Sequence, residues 1–320
     1  MKAQVALVDR ESQQFRFRRL AQVLNRIPGI RRCVRVLRLI IFYGVFRPIQ
    51  YVYELVILPF GLVPMHGGYR TDARLFRSLK YRGYSVRVRI NSFWDYERLS
   101  SVELYPVDEI LADIETWPSS EIVYYEVGAN VGYTPLLISQ ILGNRGRIVA
   151  FEVDPINYKT FTDNILINRF KNIVPLQLGI ASQYSIQKFY YFTGLGMPDG
   201  LPPSGMGMHS ITFESPYHDP EIYGNFAFAP LDEVIGTFGL PMPTHIFIDA
   251  FGSEAEVLKG MTATLAEPRL RKVMVQIDNV EHADDSLVAR ELQANGFDLT
   301  VLETMLVHQT MMTHNCVFAR

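Results

Sequence analysis

Short apolar runs alternate with amphipathic stretches along the last two thirds of the chain. Five runs rich in β-branched and aromatic residues stand at 122–127, 147–151, 172–178, 244–248 and 272–277. The stretches between them have helical periodicity, and this alternation predicts an α/β domain with a parallel sheet covered by helices on both faces. Two further strand-like runs, 297–302 and 315–319, have no helix between them, so they predict a closing antiparallel hairpin.

A different pattern precedes this region. Tyr84–Ile90 alternates apolar and polar side chains, as a half-buried strand does. Leu37–Met65 is apolar and aromatic, but charged residues and a proline interrupt it, so it is too broken for a full transmembrane helix. We therefore predict a helical, apolar N-terminal region over residues 1–95 and the α/β domain over residues 96–320.

Charge is unevenly distributed along the chain. The formal net charge is -2, whereas residues 1–50 contain eleven Lys and Arg against only Asp9 and Glu11. Because this basic segment adjoins the apolar run, it suits an anionic membrane surface better than a nucleic acid. We expect a cytoplasmic protein with peripheral membrane contact through residues 15–65. The alternative is that these residues pack against the main domain or a second subunit.

Composition limits the class of protein. The chain has 320 residues, 48% of them hydrophobic and 20% charged, which is enough for a core of ordinary size. Its two cysteines, Cys33 and Cys316, lie at opposite ends and lack C-x-x-C spacing. This argues against a disulfide framework and a zinc knuckle, and it fits a reducing compartment.

A long irregular segment lies between the third and fourth predicted strands. Residues 193–230 are rich in Gly, Pro, Met and His, and they are too many for an ordinary connection. We interpret the segment as a functional loop or lid, with a mere insertion as the alternative.

The turn after the first predicted strand carries the clearest chemical signal. The strand ends in Glu126 and continues through Gly128, Asn130 and Gly132 into a helix for which Thr134 is a suitable N-cap. Glycines allow backbone torsions closed to other residues and let a ligand approach the main chain. We therefore predict a ligand at this turn, with a purely structural turn as the alternative.

Acidic residues indicate which ligand binds there. Glu152 ends the second strand, where doubly wound folds bind ribose hydroxyls, and Asp154 follows it. Glu126, ahead of the first glycine, would repel a pyrophosphate but attract the ammonium and sulfonium groups of S-adenosylmethionine. The turn also departs from the G-x-G-x-x-G pattern of dinucleotide-binding folds. S-adenosylmethionine is therefore the predicted cofactor, and a nicotinamide cofactor in an oxidoreductase is the alternative.

Several segments, in this order, resemble the FkbM-type family of S-adenosylmethionine-dependent methyltransferases. They are Y-E-V-G-A-N-V-G-Y at 125–133, A-F-E-V-D-P at 150–155, N-I-L-I-N at 164–168, L-D-E-V at 231–234, I-D-A-F-G-S-E-A-E-V-L-K-G at 248–260 and N-G-F at 295–297. The resemblance covers most of residues 100–320. It implies a class I methyltransferase-like, doubly wound sheet of seven strands, the last antiparallel, and O-methylation of a hydroxyl on a sugar, glycan or secondary metabolite.

The resemblance also implies a set of cofactor-binding residues. These are Glu126, Gly128, Asn130, Gly132, Glu152, Asp154 and Gly179. The first four would surround the amino-acid end of the cofactor. Glu152 would bind the ribose hydroxyls, and Gly179 would lie near the adenine.

Other residues concern the reaction centre. Asp249 ends the fourth strand, where the family places an aspartate facing the methyl group, and Asp278 ends the fifth, where the family usually has an acid. The family typically reads K-I-D-V-E-G here, whereas this chain has Phe247 for the lysine and Phe251 for the glutamate. Either the acceptor is more apolar than usual, or catalysis relies on other groups, or activity has been lost, leaving an inactive adaptor at a membrane.

Methyl transfer depends chiefly on positioning, which can supply about 7–11 kcal/mol, while a general base adds about 10²–10⁴-fold. Asp249 is the first candidate for this base. His209 and His218, in the long irregular segment, are the other candidates, because imidazole titrates near neutral pH and a loop can close over a site. The clustered acids and histidines of a metal site are missing from the pattern, so we predict no metal.

Two further polar positions are predicted to be structural. His245 directly precedes an apolar strand. Ser253 and Glu256 form an S-x-x-E pattern, which predicts a capping box at the start of a helix.

Overall fold

A computed structural model describes residues 75–91, 95, 99, 104–143, 145–192, 218–278, 286–307 and 311–320. The predictions for residues 1–74, including the helical region and the membrane contact at 15–65, lie outside this part of the chain, as does His209. No helix in the described ranges combines the length and the apolar character needed to cross a bilayer. The boundary near residue 95 stays a prediction.

Twelve strands and seven helices lie in the described part of the chain. The strands are β1 (Leu75–Tyr81), β2 (Tyr84–Ile90), β3 (Val123–Val127), β4 (Arg147–Phe151), β5 (Ile173–Leu176), β6 (Gly179–Ile180), β7 (Ser185–Phe192), β8 (His218–Ala229), β9 (His245–Ile248), β10 (Lys272–Asp278), β11 (Asp298–Val307) and β12 (Met311–Ala319). The helices are α1 (Tyr105–Ile114), α2 (Tyr133–Leu142), α3 (Pro155–Asn168), α4 (Leu231–Phe238), α5 (Glu254–Lys259), α6 (Thr262–Ala266) and α7 (Leu287–Ala294).

Seven strands form the main sheet, in the spatial order β5, β4, β3, β9, β10, β12, β11. The first five are parallel to one another, and β12 runs antiparallel to both β10 and β11. This confirms the predicted class I methyltransferase-like sheet with its C-terminal antiparallel hairpin. The chain leaves β3 toward β4 on one side and later returns to β9 on the other. Such a reversal opens a crevice at the carboxyl ends of β3 and β9, where doubly wound folds bind ligands.

The main sheet is buried on both faces. All five residues of β3 are buried, and because successive side chains alternate in direction, Tyr124 and Tyr125 belong to different core clusters. The cluster containing Tyr124 also contains Phe247 of β9 and Met274 of β10, together with apolar residues of the β1–β2 hairpin. We call this side of the sheet the hairpin face.

The β1–β2 hairpin is attached to the domain through two asparagines of α3. Asn164 Oδ1 accepts from the Arg89 backbone N–H at 2.7 Å, and Asn168 Oδ1 accepts from the Arg87 N–H at 2.8 Å. The Asn168 amide also donates to the Arg87 carbonyl. These side chains satisfy backbone groups along the free edge of β2, which would otherwise be open to pairing with another strand. The N-I-L-I-N segment thereby gains a structural explanation.

A second sheet corrects the expectation of an irregular segment over residues 193–230. Its last part forms β8, which pairs antiparallel with β7 and parallel with β6. Phe189, Phe226 and Phe228 pack on one face of this small sheet. Alternation of phenylalanine with small residues at 226–229 was the signal for a strand, and the glycines, prolines and histidines before it obscured that signal. Residues 193–217 are outside the described ranges.

A partly buried polar cluster joins α1 to the amino-terminal edge of the main sheet. His245 Nε2 lies 2.6 Å from Asp113 Oδ2, and Lys272 Nζ donates to Asp113 Oδ1 at 2.9 Å and to Glu109 Oε2 at 2.7 Å. Burial raises the pKa of Asp113, but the hydrogen bonds from His245 and Lys272 outweigh it and lower that pKa to about 2. The cluster is far along β9 from the carboxyl-end crevice, in keeping with a structural role for His245.

Two predicted helix starts are wrong in detail. Helix α2 begins after Gly132, which is its N-cap in the left-handed conformation, so Thr134 lies inside the first turn. Ser253 is the N-cap of α5 but makes no side-chain capping bond. Glu256 instead accepts a hydrogen bond from the Ser182 hydroxyl at 2.8 Å, because the tertiary structure brings another segment to it.

Candidate functional site

The turn after β3 is held against two neighbouring strands. The backbone N–H groups of Gly128 and Ala129 both donate to the Phe151 carbonyl at 2.9 Å. Gly128 has φ +90°, and a Cβ added there would overlap the backbone carbonyl oxygen of Asp249. Glycine at this position therefore allows the ends of β3 and β9 to lie in direct contact.

The other glycine of the turn is required by packing. Gly132 has φ +82°, and a Cβ added there would overlap the aromatic ring of Phe161 on α3. Between the two glycines, Asn130 adopts the left-handed conformation with φ +51°. The Asn164 side chain donates to the Val131 carbonyl at 3.0 Å, so α3 holds this turn through both a ring and an amide.

Glu152 connects the turn to the end of β4. Its two carboxylate oxygens accept 2.7 Å hydrogen bonds from the backbone N–H groups of Asn130 and Asp154. Burial, followed by repulsion from Asp154, raises the pKa of Glu152 to about 8, although the two backbone bonds act in the opposite direction. Each carboxylate oxygen keeps a second lone pair with which it can accept a ligand hydroxyl.

Glu126 is more deeply buried than Glu152 or Asp249. It is 3% exposed, and its Oε2 accepts a 2.7 Å hydrogen bond from the Tyr124 hydroxyl on the same face of β3. Burial raises the pKa of Glu126 well above its usual range, and the charges of Asp249 and Glu152 raise it further. The three carboxyl groups therefore lie close enough to repel one another.

We call Glu126, Glu152 and Asp249 the acidic cluster, and the question is which positive charge balances it. No lysine, arginine or histidine in the described part of the chain forms an ion pair with Glu126 or Glu152. Buried carboxylates without a counter-cation stay protonated or attract a positive ligand. The described residues also contain no group of three acidic, histidine or cysteine side chains arranged to hold a metal ion. The cluster fits the cationic end of S-adenosylmethionine.

Two other positions expected at the cofactor have structural partners. Asp154 is the N-cap of α3, and its Oδ1 accepts from the N–H groups of Ile156 and Asn157 at 2.7 and 2.9 Å. Its other oxygen is buried and accepts no hydrogen bond from any described residue. Gly179 pairs with Phe228 across the small sheet, and a Cβ added there would overlap that ring. Packing is thus a sufficient reason for glycine at 179.

Asp249 follows the last residue of β9, where its backbone N–H donates to the Val127 carbonyl at 2.9 Å. It is only half-buried, unlike Glu126. The loop after it is strained, because Phe251 adopts φ +41°, a conformation that costs a non-glycine residue about 1–3 kcal/mol. Glu254 supports this loop by accepting a 2.9 Å hydrogen bond from the Gly252 N–H.

Phe247 stands where the resemblance leads one to expect a lysine. It is 2% exposed, and its ring makes an edge-to-face contact with Tyr105 of α1 at a centroid distance of 5.4 Å. The phenylalanine therefore belongs to the core under α1. A charged side chain at this position would have been buried among aromatic rings.

The remaining predicted residues are described only in part. His218 begins β8 and Asp278 ends β10, but the side chains of both are outside the described part of the structure. His209 is likewise outside. The contribution of these three residues to the site stays a prediction.

Sequence reasoning missed two residues that shape the site, Tyr124 and Asn164. The spacing of Tyr124 and Glu126, two residues apart on a strand, was a usable signal, because such residues share a face. Asn164 stood in a recognised segment, but its contact with the Val131 carbonyl spans 33 positions, and no local pattern shows it.

Comparison with known proteins finds similarity to several methyltransferases. The chain is 24% identical over 184 residues to a hexuronic acid methyltransferase, AglP, of Haloferax volcanii, an alignment covering 57% of this chain and 67% of that protein. Similar solved structures include Aeropyrum pernix fibrillarin with bound S-adenosyl-L-methionine (16% identity, TM-score 0.40, covering 80% of this chain and 87% of that one). Another is a precorrin-6y methyltransferase of Geobacter metallireducens (14% identity, TM-score 0.35, covering 62% and 80%).

The family assignment rests on a separate match. The model of the methyltransferase FkbM domain matches residues 126–299, just over half of the 320 residues, and the match begins at Glu126. Neither the nicotinamide oxidoreductase nor the inactive adaptor gains support from any of these comparisons. The chain belongs to the FkbM family of methyltransferases, which use S-adenosylmethionine as the methyl donor.

Proposed function

We propose that this protein O-methylates a hydroxyl group of a sugar or glycan. The methyl donor follows from the family, and the relative that acts on a hexuronic acid supports a sugar as the acceptor. The observation that carries the proposal is the acidic cluster. It presents two buried carboxyl groups and one half-buried carboxyl group at the crevice between β3 and β9.

Each acid of the cluster has a distinct task in this proposal. Glu126, whose side chain is the least exposed of the three, attracts the amino-acid end of the donor. Glu152 accepts hydrogen bonds from the ribose hydroxyls. When bound, S-adenosylmethionine supplies a methyl group on a positively charged sulfur. Asp249, which is half-buried and lies at the end of β9, faces the acceptor and removes the proton of the attacking hydroxyl.

Positioning is the larger part of catalysis in this arrangement. The contacts of Gly128 with the Asp249 carbonyl and of Asp249 N–H with Val127 fix the aspartate backbone relative to the cofactor turn. Because the backbone is fixed, the carboxylate has fewer positions available and reaches the reacting geometry at a lower entropic cost. The expected contribution of Asp249 as a base is about 10²–10⁴-fold in kcat.

Calorimetry with S-adenosylmethionine tests the donor site on the full chain. We expect micromolar binding by the wild type and at least tenfold weaker binding by Glu126→Gln, which keeps the shape but removes the charge. Glu233→Gln, on the exposed surface of α4, is the matched control and should bind as the wild type does. Folded protein that does not bind the donor would contradict the proposal and favour the adaptor.

Methyl transfer tests the acceptor class. The protein is incubated with donor labelled in its methyl group and with methyl glucuronide or methyl glucoside, and mass spectrometry locates the label. Asp249→Asn should lower kcat by about 10²–10⁴-fold and change the dissociation constant for the donor by less than threefold. An unchanged kcat would remove Asp249 as the base. Transfer to neither sugar by donor-binding protein would refute the sugar acceptor.

A further inference from the structure

A row of polar side chains runs along the hairpin face at the carboxyl-end crevice. Phe247, Met274 and Val317 are cluster members of this face on the neighbouring strands β9, β10 and β12. Moving two residues toward the crevice keeps the same face, and it leads to Asp249, Gln276 and Asn315, in strand order. The deeper row is apolar, whereas the row at the crevice is entirely polar.

The strand register places these three residues side by side. Ile248 pairs with Val275, so the next step of the parallel register brings Asp249 beside Gln276. Gln276 is directly opposite Asn315 in the antiparallel pair. Because adjacent strands are about 4.8 Å apart, the two amides begin roughly 5 and 10 Å from the proposed base.

Asn315 is buried, and Gln276 is half-buried with its side-chain carbonyl oxygen enclosed. Asn315 is 3% exposed. Oε1 of Gln276 is shielded from solvent, and no described residue donates a hydrogen bond to it. A buried carbonyl oxygen without a donor is destabilising, and a native structure has few of them. An apolar side chain, like those of the deeper row, would fit the fold better.

The chemistry of the row indicates its ligand. A primary amide donates through its NH₂ group and accepts through its carbonyl, so it can bind a hydroxyl, which also does both. Amides carry no charge, and they therefore suit the neutral hydroxyls of a sugar ring better than its carboxylate or a phosphate.

We propose that Gln276 and Asn315 form an acceptor subsite that binds the hydroxyls of the sugar ring next to the one methylated at Asp249. The Gln276 carbonyl accepts from one ring hydroxyl, and the Asn315 amide binds the next, farther from the cofactor. This inference rests on the proposed sugar acceptor. It assigns to these residues the orientation of the ring, and hence the choice of the hydroxyl that receives the methyl group.

Steady-state kinetics of the full chain tests the subsite with methyl glucuronide and methyl glucoside as probes. Gln276→Met keeps the length of the side chain but removes both hydrogen-bonding atoms. We expect its KM to rise at least tenfold for both probes equally, because the probes differ only at C6, a carboxylate in one and a hydroxymethyl group in the other, whereas the amides bind the ring hydroxyls that both share. The dissociation constant for S-adenosylmethionine should stay within threefold of the wild type, because the substitution leaves the donor site unchanged. Asn315→Ala should act in the same direction.

Met274→Leu is the matched control, since it changes the deeper row of the same strand, and its KM should equal that of the wild type. A ring that is no longer held should also be methylated at more than one position, which mass spectrometry of the Gln276→Met product detects. A merely structural role for Gln276 would not change regiochemistry. Mixed products therefore support the subsite.

The two proposals fail differently. If the wild type methylates a probe but Gln276→Met and Asn315→Ala leave KM and regiochemistry unchanged, the subsite is refuted and the sugar methyltransferase stands. If the wild type binds the donor yet methylates neither probe, the sugar acceptor is refuted, and the subsite is refuted with it.

Discussion

Replacing Gly132 by alanine tests whether the turn after β3 needs glycine for a ligand or for its own packing. The residue has φ +82°, and alanine in this conformation costs about 1–2 kcal/mol. Its methyl group would also overlap the Phe161 ring, and such overpacking costs a further 1–3 kcal/mol or so. We expect Gly132→Ala to lower the free energy of unfolding by about 2–5 kcal/mol in total.

A double-mutant cycle separates the two terms. Phe161→Leu removes the ring, so alanine at 132 should cost only its backbone term in that background. The coupling free energy should therefore be about 1–3 kcal/mol, with the double variant more stable than the sum of the two single effects predicts. Urea unfolding of the wild type, the two single variants and the double variant measures this coupling, provided that the m-value is the same in all four proteins.

Additive effects, with a coupling under about 0.5 kcal/mol, would refute the packing argument. Donor binding gives a second readout of the same substitution. If glycine is needed because the ligand approaches the backbone, Gly132→Ala weakens donor binding strongly in both backgrounds. If packing is the reason, Phe161→Leu restores much of the affinity.

Three further predictions concern buried polar groups. Because the folded pKa of Glu152, about 8, exceeds its unfolded value, this carboxyl group should lower the stability of the donor-free protein by about 1–2 kcal/mol between pH 6.5 and 8. In urea unfolding, Glu152→Gln should remove that part of the loss. Since the pKa of Asp113 is lowered to about 2, Asp113→Asn should lose about 2 kcal/mol at pH 7 in urea unfolding, with kcat unchanged; unaltered stability would contradict this. Asn164→Ala removes the hydrogen bond to the Val131 carbonyl, so it should lower the free energy of unfolding by about 1–3 kcal/mol and also weaken donor binding in calorimetry. Asn168→Ala should lower the free energy of unfolding but leave donor binding unchanged.

The expected loss at Asp113 has a defined pH window. Its folded pKa lies below the unfolded value, so its stabilising effect is complete above about pH 5 and disappears as the pH falls through about 2. Glu152 shows the opposite sign, because burial there opposes ionisation in the folded state. Acid and base titrations of the same protein therefore separate the two groups.

Local patterns were sufficient for the main sheet. Runs such as 148–151 and 273–275 are apolar throughout because these parts of their strands are buried on both faces, and a continuous apolar run is visible in one dimension. The turn after β3 was also evident, since a glycine-rich link between strand and helix is a local feature. That Glu126 and Glu152 bind the cofactor stays a prediction.

The tertiary structure alone decided what each polar residue contacts. Gly132 packs against the Phe161 ring, and the Asn164 amide donates to the Val131 carbonyl. Gln276 is paired with Asn315 on the neighbouring strand. Each of these contacts joins segments that are distant along the chain. Hydrophobic periodicity is a property of neighbours in sequence, so it determines the elements and the faces that they bury. Side-chain partners depend on how those faces are brought together, and that arrangement exists only in three dimensions.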